Sequence, residues 1–179
     1  MGQANSTCGI NQPSGSLTLQ ECPGGLLGIV STVRGRHLVA LRPIAAGQEI
    51  LWIDGVMTTE PSRYSVQVGH DEHVVPGIDI SGCDSVDHGF WRYLNHSCDP
   101  NGWLRGRELI ALRDIQPNEN VTFDYNSSEW DMAEPFACHC TSARCLGTIR
   151  GFRHLSPTQR EQVQTAAPHL TAHIACTDA

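Results

Sequence analysis

The sequence of 179 residues contains no lysine, because all 12 of its basic side chains are arginine. Lysine is normally among the commonest residues, and a genome rich in G and C that favours arginine is the simplest explanation. With 19 acidic residues the formal net charge is −7. Nonspecific binding to nucleic acid or to an anionic membrane requires a basic surface. We therefore expect neither as a direct partner, whereas a cationic substrate suits this charge.

Long apolar runs are also absent. No stretch reaches the roughly 18 apolar residues that a membrane span needs. The first residues lack the basic segment and apolar stretch of a secretory signal. These absences predict a cytoplasmic protein, or a nuclear one if the source is eukaryotic. The 40% hydrophobic and 17% charged content is typical of a globular chain, and the length suits one domain.

Short runs of β-forming residues, separated by turn residues, dominate the chain. They predict strands at 27–32, 37–41, 49–53, 64–68, 108–112 and 120–125. Residues 1–16 are small, polar and aperiodic, which predicts a flexible leader. Ser156, Pro157 and Gln159 form a capping-box pattern that predicts a helix start, and Pro168 limits this helix to about three turns. The fold class that follows is mainly β, made of small sheets.

Two segments of the sequence resemble each other and are called the repeat segments below. Residues 40–47 (ALRPIAAG) resemble residues 111–118 (ALRDIQPN) at an offset of 71 positions. Each copy predicts strand, turn, strand, with Gly47 and Asn118 at the turn position that favours positive φ. The alternative is that two unrelated hairpins share a common turn pattern.

Three of the eight cysteines are clustered. Cys138, Cys140 and Cys145 lie within eight positions, whereas the others are scattered at Cys8, Cys22, Cys83, Cys98 and Cys176. In a chain without an export signal, such a cluster indicates a metal site before it indicates disulfides. Three thiolates are one ligand short of a closed tetrahedral zinc site.

Residues 92–101 read RYLNHSCDPN and are dense in polar side chains. Asparagine and histidine can both donate and accept hydrogen bonds, and Asp-Pro-Asn favours a tight turn. Taken alone, the segment predicts either a loop that binds a polar ligand or a plain polar turn.

Three motifs in order resemble those of the SET-domain methyltransferases, a family best known for methylating protein lysines. They are RYLNHSCDPN, VTFDY at 121–125, and the C-x-C-x4-C of the cysteine cluster. The resemblance covers roughly residues 27–151. It implies a SET β-fold of small curled sheets, with a pseudo-knot between the first two motifs, a short C-terminal helix and a zinc-bound post-SET lid. The implied divisions are a SET domain at 17–127, a post-SET segment at 128–152, and a C-terminal helix and tail at 153–179.

The resemblance also implies S-adenosylmethionine as the cofactor. Asn95 and His96 match positions that hold its amino-acid end, and Arg92 supports that pocket. Tyr125 matches the catalytic tyrosine, whose hydroxyl lies beside the transferred methyl and so also contacts the cofactor. Tyr64 matches a second pocket tyrosine, with a plain strand aromatic as the alternative.

Two further roles follow from the resemblance. Cys98 would be the fourth ligand of a Zn²⁺ ion, with Cys138, Cys140 and Cys145. Phe123 lies where the family has a Phe/Tyr switch, and phenylalanine there implies that methylation proceeds beyond one methyl group.

The glycine motif of the family is incomplete. Its G-x-G pattern would fall on Gly35, Arg36 and His37, so that histidine replaces the second glycine. Glycine there lets the backbone approach the cofactor. The alternative is a shifted alignment in which residues 24–28 (GGLLG) supply the loop.

Two functions from different classes remain open. The first is a protein-lysine N-methyltransferase acting on a protein or peptide with a basic, lysine-containing segment. The second is a SET scaffold acting on a small molecule in secondary metabolism, as a methyltransferase or a cyclase. A non-catalytic module is disfavoured because Asn95, His96 and Tyr125 are all present. The acidic residues Glu129 and Glu134, with Asp131 between them, predict an acidic rim for a basic peptide, or a solvated loop.

Overall fold

The computed structural model describes residues 18–33, 35–77, 89–163 and 169–170. The predicted leader, Cys8, Cys83, Cys176 and Pro168 lie outside this part of the chain. The described chain is mainly β, which confirms the predicted class. It has thirteen short strands: β1 Thr18–Glu21, β2 Leu27–Thr32, β3 Gly35–Ala40, β4 Glu49–Trp52, β5 Val56–Thr58, β6 Val66–Gln67, β7 His73–Val75, β8 Asn95–His96, β9 Gly102–Arg105, β10 Glu108–Ala111, β11 Thr122–Phe123, β12 Phe136–Ala137 and β13 Thr148–Ile149.

Helices are few and short. The 3₁₀ helices are Phe90–Tyr93, Tyr125–Ser127 and Phe152–His154, and α1 is Pro157–Gln162. Ser156 and Gln159 form the predicted capping box, but α1 is shorter than the predicted three turns. It ends because Val163 is extended and buried in a small apolar cluster with Phe152 and Leu155. No helix in the described chain is long and apolar enough to cross a membrane.

The strands form small separate sheets. Three have three strands, in the orders β1-β2-β3, β4-β10-β9 and β5-β7-β6, and two are pairs, β8 with β11 and β12 with β13. All six predicted strands are present, and β2 has the predicted bounds. The strand predicted at 64–68 contracts to β6, so Tyr64 lies in a turn. The strand predicted at 120–125 contracts to β11 because Tyr125 begins a 3₁₀ helix.

The two repeat segments, 40–47 and 111–118, have equivalent structures and make equivalent backbone hydrogen bonds to each other. Gly47 donates its backbone N–H to Ala111 O at 2.8 Å, and Asn118 donates equivalently to Ala40 O at 2.7 Å. Ile44 and Ile115 exchange two backbone bonds of 3.0 and 2.9 Å. The strand–turn–strand order and the positive φ of Gly47 (80°) and Asn118 (67°) are confirmed. The strands of one copy, however, pair with those of the other, which makes an approximate two-fold relation.

The main core lies between the repeat segments and the first sheet. Its most buried members include Leu38, Ile44, Ile53, Leu109 and Ile115, each no more than 1% exposed. Phe123 and Leu94 belong to the same cluster, and Tyr125 packs against it. The core therefore fixes the backbone on which the two polar motifs are mounted.

Candidate active site

The segments that contain RYLNHSCDPN and VTFDY lie side by side. Strands β8 and β11 are parallel, with Asn95 opposite Thr122 and His96 opposite Phe123. Ser97 donates its backbone N–H to Phe123 O at 3.1 Å. This pairing places residues 92–101 next to the turn that begins at Tyr125.

A cavity of about 690 Å³ opens beside this pair. Its walls come from the turn at 62–66, from both polar motifs, and from residues 132–140. Six of the seven predicted catalytic and cofactor residues line it: Tyr64, Arg92, Asn95, His96, Phe123 and Tyr125. The seventh, Gly35, lies at the exposed start of β3 and does not.

The side chain of Tyr125 is fixed by a hydrogen bond of its hydroxyl and by contacts of its ring. Its hydroxyl donates to Leu94 O at 2.6 Å, and its ring lies 4.8 Å from the ring of Phe123 and 5.9 Å from that of Phe136. Burial, together with the nearby negative charge of Glu129, raises the pKa of this hydroxyl. Tyr125 is therefore a neutral phenol with one fixed hydrogen bond and an aromatic surround.

His96 is a neutral imidazole in the same wall. Burial lowers its pKa to about 4. Its Nδ1 lies 3.2 Å from the backbone N–H of Tyr125, and its Nε2 lies 3.2 Å from Cys98 Sγ. Because Nδ1 accepts from the amide, Nε2 carries the proton and faces the sulfur. The residue thus connects the turn that begins at Tyr125 to the cysteine cluster.

Arg92, Asn95 and Tyr64 differ in how firmly they are placed. Arg92 donates to the Tyr93 hydroxyl at 3.0 Å, and Arg36 donates to the same oxygen at 2.6 Å. Asn95 is exposed toward the cavity. Tyr64 is 61% exposed, with the Arg63 guanidinium 5.7 Å from its ring centroid. Tyr64 therefore stands at the mouth of the cavity and is not packed in a strand.

The glycine-rich segments lie away from the cavity walls. His37 pairs with Val30 inside the first sheet, so its side chain belongs to strand β3. Gly24 and Gly25 have φ of +85° and +65° in the turn between β1 and β2. Neither segment lines the cavity, and the shifted alignment gains no support from it.

The four predicted zinc ligands converge. The sulfur atoms of Cys98, Cys138, Cys140 and Cys145 all lie within 4.8 Å of one another, with 3.9 Å between the first two. A tetrahedral site with zinc–sulfur bonds of about 2.3 Å requires sulfur separations of roughly 3.8 Å. Backbone N–H groups of Leu146 and Cys140 point at Cys98 and Cys138 sulfurs, each at 3.4 Å. The donor set fits a structural metal ion with thiolate preference.

The predicted acidic rim is only partly correct. Glu134 lines the cavity, exposed, and lies 3.5 Å from Arg63. Asp131 instead pairs with Arg153 at 2.8 Å and His154 at 2.7 Å. Glu129 is only 8% exposed, because the 3₁₀ turn after Tyr125 directs it into the cavity wall. The spacing of four residues from Tyr125 is the one sequence signal that could have indicated this.

Comparison with known proteins agrees with the geometry. The sequence matches the SET domain family over residues 35–126, more than half of the chain. It is 39% identical over 165 residues to a histone-lysine N-methyltransferase, H3 lysine-36 specific, of Yarrowia lipolytica, covering 83% of this chain but 21% of that protein. It is 34% identical over 144 residues to methyltransferase flvH of Aspergillus flavus, covering 78% of this chain and 72% of that protein.

A solved structure of KRYPTONITE in complex with mCHH DNA, H3(1-15) peptide and SAH shares the fold. The TM-score is 0.50 at 19% identity, over 75% of this chain and 30% of that one. This chain therefore spans about a fifth of its Yarrowia relative and nearly three quarters of flvH. By its family match and by the extent of its match to flvH, the chain belongs to the SET-domain family of methyltransferases.

Proposed function

We propose that the chain is an S-adenosylmethionine-dependent protein-lysine N-methyltransferase. The observation that carries this is the hydroxyl of Tyr125, fixed on Leu94 O at 2.6 Å in the wall of a cavity that also collects Asn95 and His96. A catalytic tyrosine beside polar cofactor residues is the arrangement that the resemblance predicts.

Cofactor binding is assigned to residues of the β8 segment. Asn95 offers an exposed amide, and Tyr125 and neutral His96 bound the same space. Arg92 supports the segment through Tyr93. We assign Gly35 only an indirect role in cofactor binding. It precedes Arg36, which donates a hydrogen bond to the same Tyr93 hydroxyl as Arg92 does. When bound, S-adenosylmethionine supplies a methyl group activated by a positive sulfur.

The chemistry requires a neutral amine in line with that methyl group. The nitrogen lone pair forms the new N–C bond while the S–C bond breaks, so alignment and exclusion of water supply most of the acceleration. A free lysine amine has a pKa of about 10.4. The aromatic wall of Tyr125, Phe123 and Phe136 disfavours the ammonium form by desolvation. The Tyr125 hydroxyl and the Leu94 carbonyl can orient the amine.

Phe123 carries the proposal that the product is di- or trimethylated. It is 3% exposed and its ring lies 4.8 Å from that of Tyr125. An apolar ring at this position adds no hydroxyl that would retain a water beside the amine. Space is then left for an amine that already bears methyl groups.

We assign Zn²⁺ to Cys98, Cys138, Cys140 and Cys145. This ion would tie residues 138–145 to the β8 segment, so that metal binding becomes folding energy for one side of the cavity. The proposed divisions stay at 17–127 for the SET domain, 128–152 for the zinc segment and 153–179 for the helix and tail. The family match, which ends at residue 126, is consistent with the first boundary.

The proposed substrate is a basic peptide segment that contains lysine. Support comes from the relatives, which are named histone-lysine N-methyltransferases, and from the net charge of −7. The second candidate is a small-molecule amine, because flvH, the relative that the chain covers over 72% of its length, is named only as a methyltransferase.

A transfer assay separates the two candidates. The purified chain is incubated with S-adenosylmethionine carrying a labelled methyl group and, separately, with histone H3, basic lysine peptides and small primary amines. We expect label on the lysine peptides and none on matched peptides in which arginine replaces lysine. Label on small amines alone would move the assignment to the second candidate, and no label on any amine would refute both.

A further inference from the structure

We propose that Glu129 receives the ammonium group of the substrate and accepts its proton before methyl transfer. This inference rests on the proposed function and adds to it a residue outside the motifs of the resemblance. The proton acceptor for the substrate ammonium is then a side chain of the cavity wall.

The position of Glu129 is the first support. It lines the cavity, and its backbone N–H donates to Tyr125 O at 2.9 Å, so it follows the catalytic tyrosine by one turn. Its negative charge is close enough to raise the pKa of the Tyr125 hydroxyl. Glu129 and Tyr125 therefore line the same cavity, in which the substrate amine would be held.

The hydrogen bonding of Glu129 is the second support. Oε1 accepts the backbone N–H of Gln67 at 2.8 Å, and Gln67 Oε1 in turn accepts the backbone N–H of Trp130 at 2.7 Å. This reciprocal clamp fixes the carboxyl group. Its second oxygen accepts no hydrogen bond from the described residues, which leaves an acceptor in a nearly buried wall. Because Oε1 is committed to Gln67, this second oxygen is the one that can accept a hydrogen bond from a ligand in the cavity.

The electrostatic surroundings suit a proton acceptor. Burial raises the pKa of Glu129 to about 7, close to the value at which a general base is most effective near neutral pH. Among the described residues no cation lowers the pKa of Glu129, and its neighbours Tyr125, a neutral phenol, and Gln67 carry no charge. His73, paired with Gln67 across the sheet, is held neutral because burial lowers its pKa, and His169 contacts Ser128 O.

The proposed step is balanced. An N–H bond of the ammonium breaks, its electron pair stays on nitrogen, and the proton moves to the free oxygen of Glu129. The two charges cancel, which a desolvated cavity favours. The neutral amine then attacks the methyl group, and Glu129 returns the proton to solvent after product release.

The pH dependence of kcat/KM tests this step. For wild type on a lysine-containing histone H3 peptide, we expect a rise up to about pH 7 and then a plateau toward the amine pKa of about 10.4. Glu129→Gln keeps an oxygen for the Gln67 amide but accepts no proton. We expect its kcat/KM to be lower on the order of 100-fold at pH 8. Its profile should rise about tenfold per pH unit without the plateau, because only the neutral amine in solution reacts.

Glu108→Gln is the matched control, since Glu108 lies on β10 and pairs with Arg105 away from the cavity. It should keep the wild-type profile. If Glu129→Gln has the wild-type profile and a kcat/KM within about twofold, the inference is wrong while the methyltransferase proposal stands. If wild type transfers methyl to no amine, the function itself is refuted.

A measurement on unmutated protein covers the case in which Glu129→Gln does not fold. A wild-type kcat/KM that climbs steadily through pH 7 to 10 without a plateau would overturn the inference without any variant.

As a readout without turnover, carboxyl NMR of glutamate-labelled protein should show one carboxyl group titrating near pH 7. The signal of that group should shift when n-butylamine, which mimics the lysine side chain, is added. No shift at saturating amine would also overturn it.

Discussion

Phe123 and Tyr125 lie two positions apart, at the end of β11 and at the start of the following 3₁₀ helix, and both line the same cavity. Phe123 is nearly fully buried, whereas the Tyr125 hydroxyl is committed to Leu94 O. The two residues differ by one hydroxyl group, and the Tyr125 hydroxyl is the only one that this pair presents to the cavity. Adding one or removing one should change the product or the rate without changing the fold.

Phe123→Tyr should restrict the product to the monomethyl form. The added hydroxyl can hold a water where further methyl groups would otherwise lie, and its burial costs about 1–3 kcal/mol if it finds no partner. Mass spectrometry of the peptide under excess cofactor should show di- and trimethyl product for wild type and mainly monomethyl for the variant. Only monomethyl product from wild type would contradict the assignment of Phe123.

Single residues differ in how far the sequence predicted them. Asn95, His96 and Tyr125 lie in short motifs of fixed order, so their convergence was predictable. Glu129 and Gln67 were not, because their contact joins positions 62 residues apart and no local pattern encodes it. Gly35 was predicted at the cofactor site but lies outside the cavity walls, since it is at the solvent-exposed start of β3.

At the scale of elements, Asn101 closes the loop after β8. It is 2% exposed, and its Nδ2 donates to Asn120 O at 2.7 Å while its Oδ1 accepts from Thr122 N–H at 2.9 Å. The sequence placed Asn101 at the end of the polar motif without indicating this bridge. The residue joins the β8 loop to the strand that leads to Tyr125.

Asn101→Ala should lower the free energy of unfolding by about 1–3 kcal/mol, because the backbone C=O of Asn120 and N–H of Thr122 lose the partner that the buried amide supplies. Urea denaturation measures it. The exposed Gln116→Ala, on the neighbouring turn, should change stability by less than about 0.5 kcal/mol. Equal effects of the two substitutions would show that the bridge contributes nothing.

The stability of the proposed zinc segment at 128–152 should depend on its metal ion. Cys140→Ser removes one of four converging sulfur ligands and should release the ion, since structural sites need all four. Residues 134–147 should then exchange amide hydrogens faster. Metal analysis and hydrogen exchange check this, with Cys22→Ala, a buried thiol of the core, as the control that keeps its zinc. Unchanged metal content in Cys140→Ser would remove the assignment.

At the scale of the whole molecule, the two repeat segments hold the halves of the chain together. The Ile44 and Ile115 bridge lies on the approximate two-fold axis, and both side chains belong to the main core. The sequence predicted the two copies and their turns from local patterns. It did not predict that their strands pair across copies, because strand partners more than 50 positions apart are chosen by tertiary packing and not by local propensity.

Ile44→Ala and Ile115→Ala should each lower the free energy of unfolding by about 2–5 kcal/mol. Their double variant should lose less than the sum, by about 0.5–3 kcal/mol, because the two substitutions share one cavity. A double-mutant cycle in urea gives the coupling. Strict additivity would mean that the two copies do not stabilise each other.

The absence of lysine makes the whole chain its own control. No ε-amine is present to compete with substrate or to add background signal, so every methylated lysine in a reaction belongs to the acceptor. Methyl groups found on the chain itself would have to lie on its N-terminal amine or on another residue type. That outcome would weaken the assignment to lysine.

The most direct test of the central claim is the mass of a lysine-containing peptide after incubation with the purified chain and S-adenosylmethionine. Fragmentation should locate the added methyl groups on lysine. Tyr125→Phe should abolish the addition while S-adenosylhomocysteine binding and thermal stability persist. Failure of wild type to methylate lysine, or full activity of Tyr125→Phe, would contradict the account.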